Sequence, residues 1–399
     1  MANKIATWLG VLVGGLLLVS ISNDLLTYHI GREAGVNFGK YHEYSGVIHI
    51  HTTYSDGSGT YQEIGEICDS LGLHFAIITD HNTVQPMKDS LARRFGMTLI
   101  IPAVEISTDH EHGHFLVIGD SIPLVPRNGI SSDSVFDDAV RKDDITILAH
   151  IYHPRKTLNW DNWNIGKFTG IELYNFDEAW RSDLNLFRIN KLIAALIVYV
   201  FQGQALNYIL EYPVAEMKKF DELNLSRKVV GIGSLDAHAK VKVGRVVYHF
   251  PRYVSLFNLV HTIIVTQTPF NGLYQHDREL TLKAIRNGNC YVAFTGIENA
   301  RGFLFTASSD TSTVIMGDSL KLTPNTILSV SIPDSTNVVA EIIKDGITLE
   351  KAEDRASIYF HPKSPGAYRV VVFQTRTMLP FFVKRKFPWI ISNPIYIYK

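Results

Sequence analysis

Apolar runs alternate with polar segments through the middle of this chain. The run "GVIHIHT" from Gly46 predicts a strand, and the segment "TYQEIGEICDSLGLH" carries apolar side chains at helical spacing, including Ile64, Ile67 and Leu71. The run "FAIITDHN" from Phe75 predicts a second strand. A strand, a helix and a strand within roughly 35 residues are typical of a βαβ unit.

The same alternation continues to about residue 300. Five more runs predict buried strands that end in polar clusters: "MTLIIPAVEIST", "GHFLVIGD", "ITILAHIYHP", "FTGIELYN" and "KVVGIGSLDAHAK". The segment "DSVFDDAVRKDD" predicts a helix between two of these strands. The pattern favours the parallel strands of an α/β barrel or a doubly wound sheet, in which chemistry collects at the carboxyl ends of the strands.

The pattern changes after residue 300. Short β-type runs such as "TILSVSIP", "NVVAEIIKDG" and "GAYRVVVFQ" are separated by turn residues, and no long helical pattern occurs among them. This part of the chain predicts a β-sandwich of about seven strands.

An uncharged apolar segment occupies residues 5–21, directly after Lys4. Its length suits a membrane span or the core of a signal peptide; we favour an uncleaved anchor, with residues 20–22 as the cleavage site if the segment is removed. The position of Lys4 then predicts that the bulk of the chain lies outside the cytoplasm, anchored to the membrane or secreted after cleavage. A second apolar run, residues 192–201, is short for a span and predicts a buried or interfacial helix.

These patterns divide the chain into four parts. We expect a signal anchor or signal peptide in residues 1–22, a linker in 23–43, an α/β domain in 44–300 and a β-sandwich in 301–399. The predicted fold class is therefore α/β in residues 44–300, as a barrel or a doubly wound sheet, followed by an all-β domain.

Composition narrows the chemistry. The formal net charge of −1 and the pI near 7.0 give no general attraction for nucleic acid. Cys68 and Cys290 are too few and too far apart for a disulfide framework or a thiolate zinc site. A metal site would have to use histidine, aspartate and glutamate.

Nine of the sixteen histidines fall between His49 and His153, and several stand where a predicted strand ends. Side chains i and i+2 on one strand point to the same face, so His49 and His51 can bind one ion together, as can Asp236 and His238. Oxygen and imidazole ligands without sulfur suit Zn²⁺, Mn²⁺ or Fe. The predicted strand ends offer the following polar residues: His49, His51, Asp80, His81, Glu105, His112, His114, His150, His153, Glu172, Asn175, Asp236 and His238.

The motifs "HIHTTYSDGSGT", "ITDHN", "VEIST" with "GHFLVIG", "LAHIYHP", "GIELYN" and "GSLDAH" occur in the order found in the PHP (polymerase and histidinol phosphatase) family. The chain resembles that family over about residues 44–300. The resemblance implies a distorted (β/α)7 barrel related to the amidohydrolase-like barrels, with two or three divalent metal ions. It also implies hydrolysis of phosphoesters, since most characterised branches of the family catalyse that reaction.

The resemblance also assigns ligands by motif. His49, His51, Glu105 and Asp236 resemble the ligands of a first ion. The second ion would take Glu105 as a bridge, with His114 and His150, and the third would take Asp56, His81 and His238.

Some positions near these motifs stay open. We favour His150 over His153 as the ligand, which leaves His153 as a contact to phosphate or leaving group. His110 and His112 are expected in an exposed loop, and Asp80 is expected outside the first coordination shell. Glu172 and Asn175 either orient His150 or a water, or are simply satisfied at a strand end.

The mechanism implied by the resemblance is attack of a metal-bridging hydroxide on phosphorus, in a phosphomonoester or phosphodiester of a small molecule or polymer. His81, His153 or Asp236 would manage protons, and Arg155 or Lys240 would meet the phosphate charge. Two other functions fit the same sequence. An amidohydrolase-like enzyme would cleave C–N or C–O bonds with similar ligands, and an envelope binding or scaffold protein would keep the metals only for structure.

Overall fold

The structure is a computed structural model that describes residues 37–108, 113–119, 125–126, 130–183, 206–243, 246–249, 251–378 and 383–399. The predicted anchor in residues 1–22 and the predicted helix at 192–201 lie outside these residues. Within the described ranges, no helix has both the length and the apolar character needed to span a membrane.

The described residues form an α/β protein with several sheets. The helices are α1 Tyr61–Ser70, α2 Gln85–Lys88, α3 Ser132–Arg141, α4 Phe176–Asp183, α5 Val214–Asn224, α6 Tyr253–Leu256 and α7 Tyr274–Asn287. The strands up to residue 300 are β1 Asn37–Phe38, β2 Tyr41–Ile48, β3 Phe75–Ile78, β4 Arg93–Phe95, β5 Thr98–Pro102, β6 Val104–Ser107, β7 His114–Ile118, β8 Ile145–Ala149, β9 Gly170–Asn175, β10 Val230–Ser234, β11 Val241–Val243, β12 Val246–Tyr248, β13 His261–Thr266 and β14 Cys290–Ala293. The strands after residue 300 are β15 Leu304–Ser308, β16 Thr313–Ile315, β17 Ser319–Lys321, β18 Ile327–Ser331, β19 Val338–Lys344, β20 Ile347–Glu353, β21 Ser357–Phe360, β22 Gly366–Met378, β23 Val383–Ser392 and β24 Ile395–Tyr398.

The helices predicted from apolar spacing form at α1 and α3. Thr60 caps α1 in a capping box, in which its hydroxyl accepts from the N–H of Glu63 and the Glu63 carboxylate accepts from the N–H of Thr60. Ile64 and Cys68 then face the core and are fully buried. The local sequence signals therefore agree with the structure in these two segments.

Two sheets meet around the predicted chemistry. One contains β13, β2, β3 and β5 as neighbours, and the other has the order β10-β9-β8-β7-β6. The chain passes directly from β5 to β6, and isolated parallel bridges join Ile50 to Ala237 and His81 to Glu105. The two sheets thus come together at the strand ends that carry the polar motifs.

Strand direction and length depart from the sequence prediction in two places. The strand β7 runs antiparallel to both β6 and β8, so the expectation of uniformly parallel strands is wrong there. The run "MTLIIPAVEIST" forms two strands, β5 and β6, in different sheets. β5 ends at Pro102, and contact with β3 continues through the N–H of Ala103, which donates to the carbonyl oxygen of Ile78 at 2.7 Å.

The region after residue 300 contains ten described strands instead of about seven. A four-stranded sheet has the order β16-β15-β18-β21, and the other six strands belong to the largest sheet. In that sheet β23 pairs antiparallel with β14, so Ile391 lies opposite Val292. A shared core follows, in which Tyr41 and Tyr291 pack with Trp389 and other residues of the carboxyl-terminal region.

Candidate metal centre

Backbone geometry at the strand ends sets the direction of three predicted ligands. His49 follows the last residue of β2, His150 follows the last residue of β8, and Asp236 comes two residues after β10. All three have positive φ, at 67°, 31° and 49° respectively, a conformation that is uncommon for residues other than glycine. Such outliers are concentrated at functional sites.

This geometry corrects one step of the sequence reasoning. His49 and His51 lie beyond the end of β2 rather than within it, and Asp236 and His238 lie beyond β10. The side chains of His49 and His51 therefore come together because of the turn at His49, and those of Asp236 and His238 because of the turn at Asp236. The alternation of side chains along a strand is not the cause. The turn that follows is equally tight, because a Cβ on Gly57 would stand 2.2 Å from the carbonyl oxygen of His51.

Glu105 is the centre of the cluster. Its Oε2 lies 3.2 Å from the Nε2 atoms of His49 and His51 and 3.0 Å from Nδ1 of His81. Its Oε1 lies 2.7 Å from Nδ1 of His114 and 3.1 Å from Nε2 of His150. One buried carboxylate thus faces five imidazoles.

Among the described residues, three groups of side chains bring ligand atoms within 4.8 Å of one another. They are His49, His51, Glu105 and Asp236; His51, Asp56, His81 and His238; and His81, Glu105 and His114. The first group is the set that the PHP resemblance implies for one ion. In the third group His81 takes the place expected for His150, whose Nε2 lies 3.1 Å from Oε1 of Glu105 without joining a group.

Several atoms in these groups are buried without a hydrogen-bond partner. They are Nε2 of His49, Nδ1 and Nε2 of His51, Nδ1 of His81, Oε2 of Glu105 and Oδ1 of Asp236. Buried polar atoms are normally hydrogen-bonded. A buried polar atom without a partner lowers the folding stability by about 1–3 kcal/mol. Divalent ions among these atoms would supply the missing partners, so the residues present fit a metal centre.

The charges within the cluster hold it together electrostatically. Burial opposes a charge on His49, but Asp236, Glu105 and Glu172 raise its pKa well above the usual value. Burial likewise opposes the charge on His51, yet contacts with Asp236 and Glu105 raise its pKa to about 9. Burial also opposes the charge on His150, and contacts with Glu105 raise its pKa to about 9. Protons and metal ions therefore compete for the same nitrogen atoms.

Comparisons with known proteins were made with both the sequence and the structure. The sequence matches no protein-family model and no curated protein. One structural match, to a two-domain protein of Bacteroides vulgatus with a predicted PHP-like metal-dependent phosphoesterase, covers 90% of this chain and 98% of that chain at 14% identity and a TM-score of 0.41. The chain resembles PHP-like metal-dependent phosphoesterases.

Two further structural matches each cover 48% of this chain and 87% of the other. One is a protein of Bifidobacterium adolescentis put forward as a metal-dependent phosphoesterase, at 14% identity and a TM-score of 0.30. The other is an amidohydrolase from Chromobacterium violaceum with bound sulfate and no metal, at 12% identity and a TM-score of 0.29.

Outside the three ligand groups, Glu172 orients two of the histidines. Its Oε1 lies 2.7 Å from Nδ1 of His49, and its Oε2 accepts from the backbone N–H of His150 at 2.6 Å and from Asn175 at 2.7 Å. Nδ1 of His150 lies 3.0 Å from the carbonyl oxygen of Leu158, which places the ring proton there and directs Nε2 to Glu105. These contacts match the outer partners that fix the tautomers of metal-bound histidines.

Other predicted residues lie near the cluster without joining a group. Asp80 accepts from the hydroxyls of Thr52 at 2.7 Å and Ser55 at 2.6 Å, so it holds the loop after β2. His153 is buried and its Nδ1 accepts from the N–H of Arg155 at 3.0 Å. Burial lowers the pKa of His153 to about 4. His110 and His112 lie outside the described residues.

The structure adds one cation to the two named by sequence reasoning. Arg155 and Lys240 both have exposed side chains, and Nζ of Lys240 lies 3.4 Å from the carbonyl oxygen of Asp56. Sequence reasoning missed Arg181 on α4, which is half-buried and paired with Asp177. Burial lowers the pKa of Arg181, but the charges of Asp177 and Asp236 more than offset this and raise it. The sequence feature that could have pointed to Arg181 is its position, within two helical turns of the end of a predicted strand.

Proposed function

We propose that this chain is a metal-dependent hydrolase that acts on phosphoesters. The observation that carries the proposal is the convergence of orphaned buried nitrogen and oxygen atoms on Glu105. The PHP motifs in the sequence add the reaction class. Divalent ions bound in this site would acidify a water molecule and neutralise the charge of a phosphoryl group.

The residues divide into metal holders and substrate contacts. The metal holders are His49, His51, Asp56, His81, Glu105, His114, His150, Asp236 and His238. Zn²⁺, Mn²⁺ and Fe all accept this ligand set, and two or three ions match the overlapping groups. Glu172 and Leu158 would fix the tautomers of His49 and His150.

The substrate contacts would lie beside α4. Arg181 carries a charge close enough to Asp236 for the two to interact, so its guanidinium would bind a phosphoryl oxygen while Asp177 holds its position. His153 is neutral near pH 7 and accepts at Nδ1, which places its proton on Nε2. From there the Nε2–H would donate a hydrogen bond to the leaving-group oxygen.

The finer fold assignment is part of the same proposal. We assign residues 44–300 to a distorted (β/α)7 barrel and residues 301–399 to a β-sandwich domain. The order β2, β3, β5 with β6, β7, β8, β9 and β10 supports the barrel, if β5 and β6 count as one bent strand. The bridge from Ile50 to Ala237 supports closure between the first and last of these strands.

The cellular location rests on the sequence alone. The apolar segment at residues 5–21 supports a membrane-anchored chain whose bulk lies outside the cytoplasm. Fractionation of cells that express the full chain, with protease added from the outside, tests this. Protection of the chain from protease in intact spheroplasts would contradict it.

Purified full-length chain loaded with Mn²⁺ or Zn²⁺ should hydrolyse p-nitrophenyl phosphate or bis-p-nitrophenyl phosphate. His114→Ala should abolish the activity, and His276→Ala serves as the matched control because His276 pairs with Asp277 outside the metal groups. Activity only on amides or acyl esters would favour the amidohydrolase alternative. Stoichiometric metal without any hydrolysis, together with retention of cell-wall material, would favour the scaffold alternative.

A further inference from the structure

Tyr253, the first residue of α6, joins two loops that carry candidate metal ligands. Its hydroxyl lies 2.8 Å from the carbonyl oxygen of His51 and 3.0 Å from that of His238. The same oxygen accepts from the backbone N–H of Ser58 at 3.1 Å and of Gly59 at 3.3 Å. One phenol oxygen therefore contacts four backbone groups.

These four contacts use the whole bonding capacity of the hydroxyl. A phenol has one proton to donate and lone pairs that accept, so the proton is shared between the two carbonyls while the two N–H groups fill the acceptor side. The side chain is buried, and no water molecule can replace these bonds without opening the site. Losing the oxygen would release both loops together.

The loops that Tyr253 joins carry three of the four members of one ligand group. His51 and His238 present their own carbonyl oxygens to the hydroxyl, and Asp56 stands two residues before Ser58. His81, the fourth member, lies on neither loop. The group His81, Glu105 and His114 has no member on either loop, so it provides an internal comparison.

The ring of Tyr253 is held as firmly as its hydroxyl. A Cβ on Gly59 would stand 2.7 Å from Cε2 of Tyr253, so only glycine lets the loop lie against the ring. The Phe257 ring packs on it at a centroid distance of 5.6 Å. The hydroxyl is thus fixed in place before any ion binds.

We propose that Tyr253 is a positioning residue that sets the spacing of His51, Asp56 and His238 for one metal ion. It touches neither ion nor substrate, and it acts through the backbone of the two loops. The inference rests on the proposed metal-dependent function and names a residue that determines how one ion of that site is held.

The test compares Tyr253→Phe with Tyr274→Phe in the full-length chain. Tyr274 also donates its hydroxyl to a carbonyl oxygen, that of Ile100, but away from the metal groups. Metal analysis and a titration with Zn²⁺ alone should show that Tyr253→Phe binds its weakest ion about 10–100-fold less tightly than wild type, as expected for the loss of an outer partner. Tyr274→Phe should bind Zn²⁺ as wild type does, and an ion held by His81, Glu105 and His114 should keep its wild-type affinity in Tyr253→Phe.

Wild-type stoichiometry and affinity in Tyr253→Phe would overturn the inference. An equal loss of affinity for every ion would also overturn it, if the metal-free form of Tyr253→Phe unfolds at a lower temperature than that of Tyr274→Phe. These two results together would indicate a general structural role. If Tyr253→Phe does not fold, Ser58→Ala is the second variant. It removes another bond between the same loops, the 3.0 Å contact from the Ser58 hydroxyl to the carbonyl oxygen of Ala239. Unchanged Zn²⁺ binding in Ser58→Ala counts against the inference. A wild-type chain that binds none of Zn²⁺, Mn²⁺ and Fe²⁺ refutes the proposed function and this inference with it.

Discussion

Replacing Glu172 by glutamine separates the role of an outer carboxylate from that of the ligands themselves. Both oxygens of Glu172 face hydrogen-bond donors, His49 on one side and the N–H of His150 with Asn175 on the other. A glutamine side chain has one acceptor oxygen and one donor nitrogen, so its NH2 group meets a donor in either orientation. Facing His49, it moves the ring proton to Nε2, the atom that lies 3.2 Å from Glu105.

The size of the effect follows from this geometry. Loss of an outer partner typically weakens metal binding about 10–100-fold, or about 1.4–2.8 kcal/mol. Glu172 and His49 are both fully buried, so water cannot take over the lost contact and we expect the upper part of that range. The other orientation leaves the N–H of His150 unpaired, at a cost of about 1–3 kcal/mol in folding free energy.

A competition titration of Zn²⁺ against a chromogenic chelator near pH 7 measures the affinity. Glu178→Gln is the matched control, because burial raises the pKa of Glu178 to about 8 and an amide resembles its protonated form. Glu178 accepts from the N–H of Tyr152 at 2.9 Å and belongs to no metal group. If Glu172→Gln binds Zn²⁺ as tightly as Glu178→Gln does, Glu172 does not fix the tautomer of His49.

Three further outcomes are expected. Arg181→Met should raise the KM for a phosphoester about 10–100-fold with metal content unchanged, because one charge-assisted hydrogen bond to the substrate is lost. An unchanged KM in steady-state kinetics would count against this. Burial raises the pKa of Glu43 from 4.5 to about 7, so its contribution to stability is greatest below pH 4.5 and falls by up to about 3 kcal/mol as the pH rises to 7; urea titrations should show that Glu43→Gln removes this decline, and an equal slope in both proteins would refute it. Chelation of metal should lower the unfolding free energy by about 3 kcal/mol when the ion was present at 100 times its Kd; thermal scans that coincide with and without chelator would contradict this.

Sequence patterns located most of the candidate site because its residues follow apolar strands. Apolar runs mark the strands, and the first polar residues after them face the same end of the molecule. Glu105, His81 and Asp236 could therefore be named together before their distances were known. The grouping of His81 with His114 could not, because it depends on ring positions that no spacing encodes.

Other features were invisible for physical reasons. A left-handed turn at His49 is not signalled by its residue type, since such turns favour glycine and asparagine. The direction of β7 depends on a pairing between distant segments, and apolar runs look alike in parallel and antiparallel strands. The position of Arg181 depends on α4, which starts directly after β9 and so brings a helical side chain over the site.

The pairing of β23 with β14 ties the carboxyl-terminal strands to the first part of the chain through backbone hydrogen bonds. A protein shortened at residue 300 would leave Tyr291, Val292 and Ala293 along an open strand edge. It would also uncover the apolar surface around Tyr41 that Trp389 and its neighbours now cover. Such an edge invites pairing between molecules, so a chain that ends at residue 300 is expected to aggregate when it is produced alone.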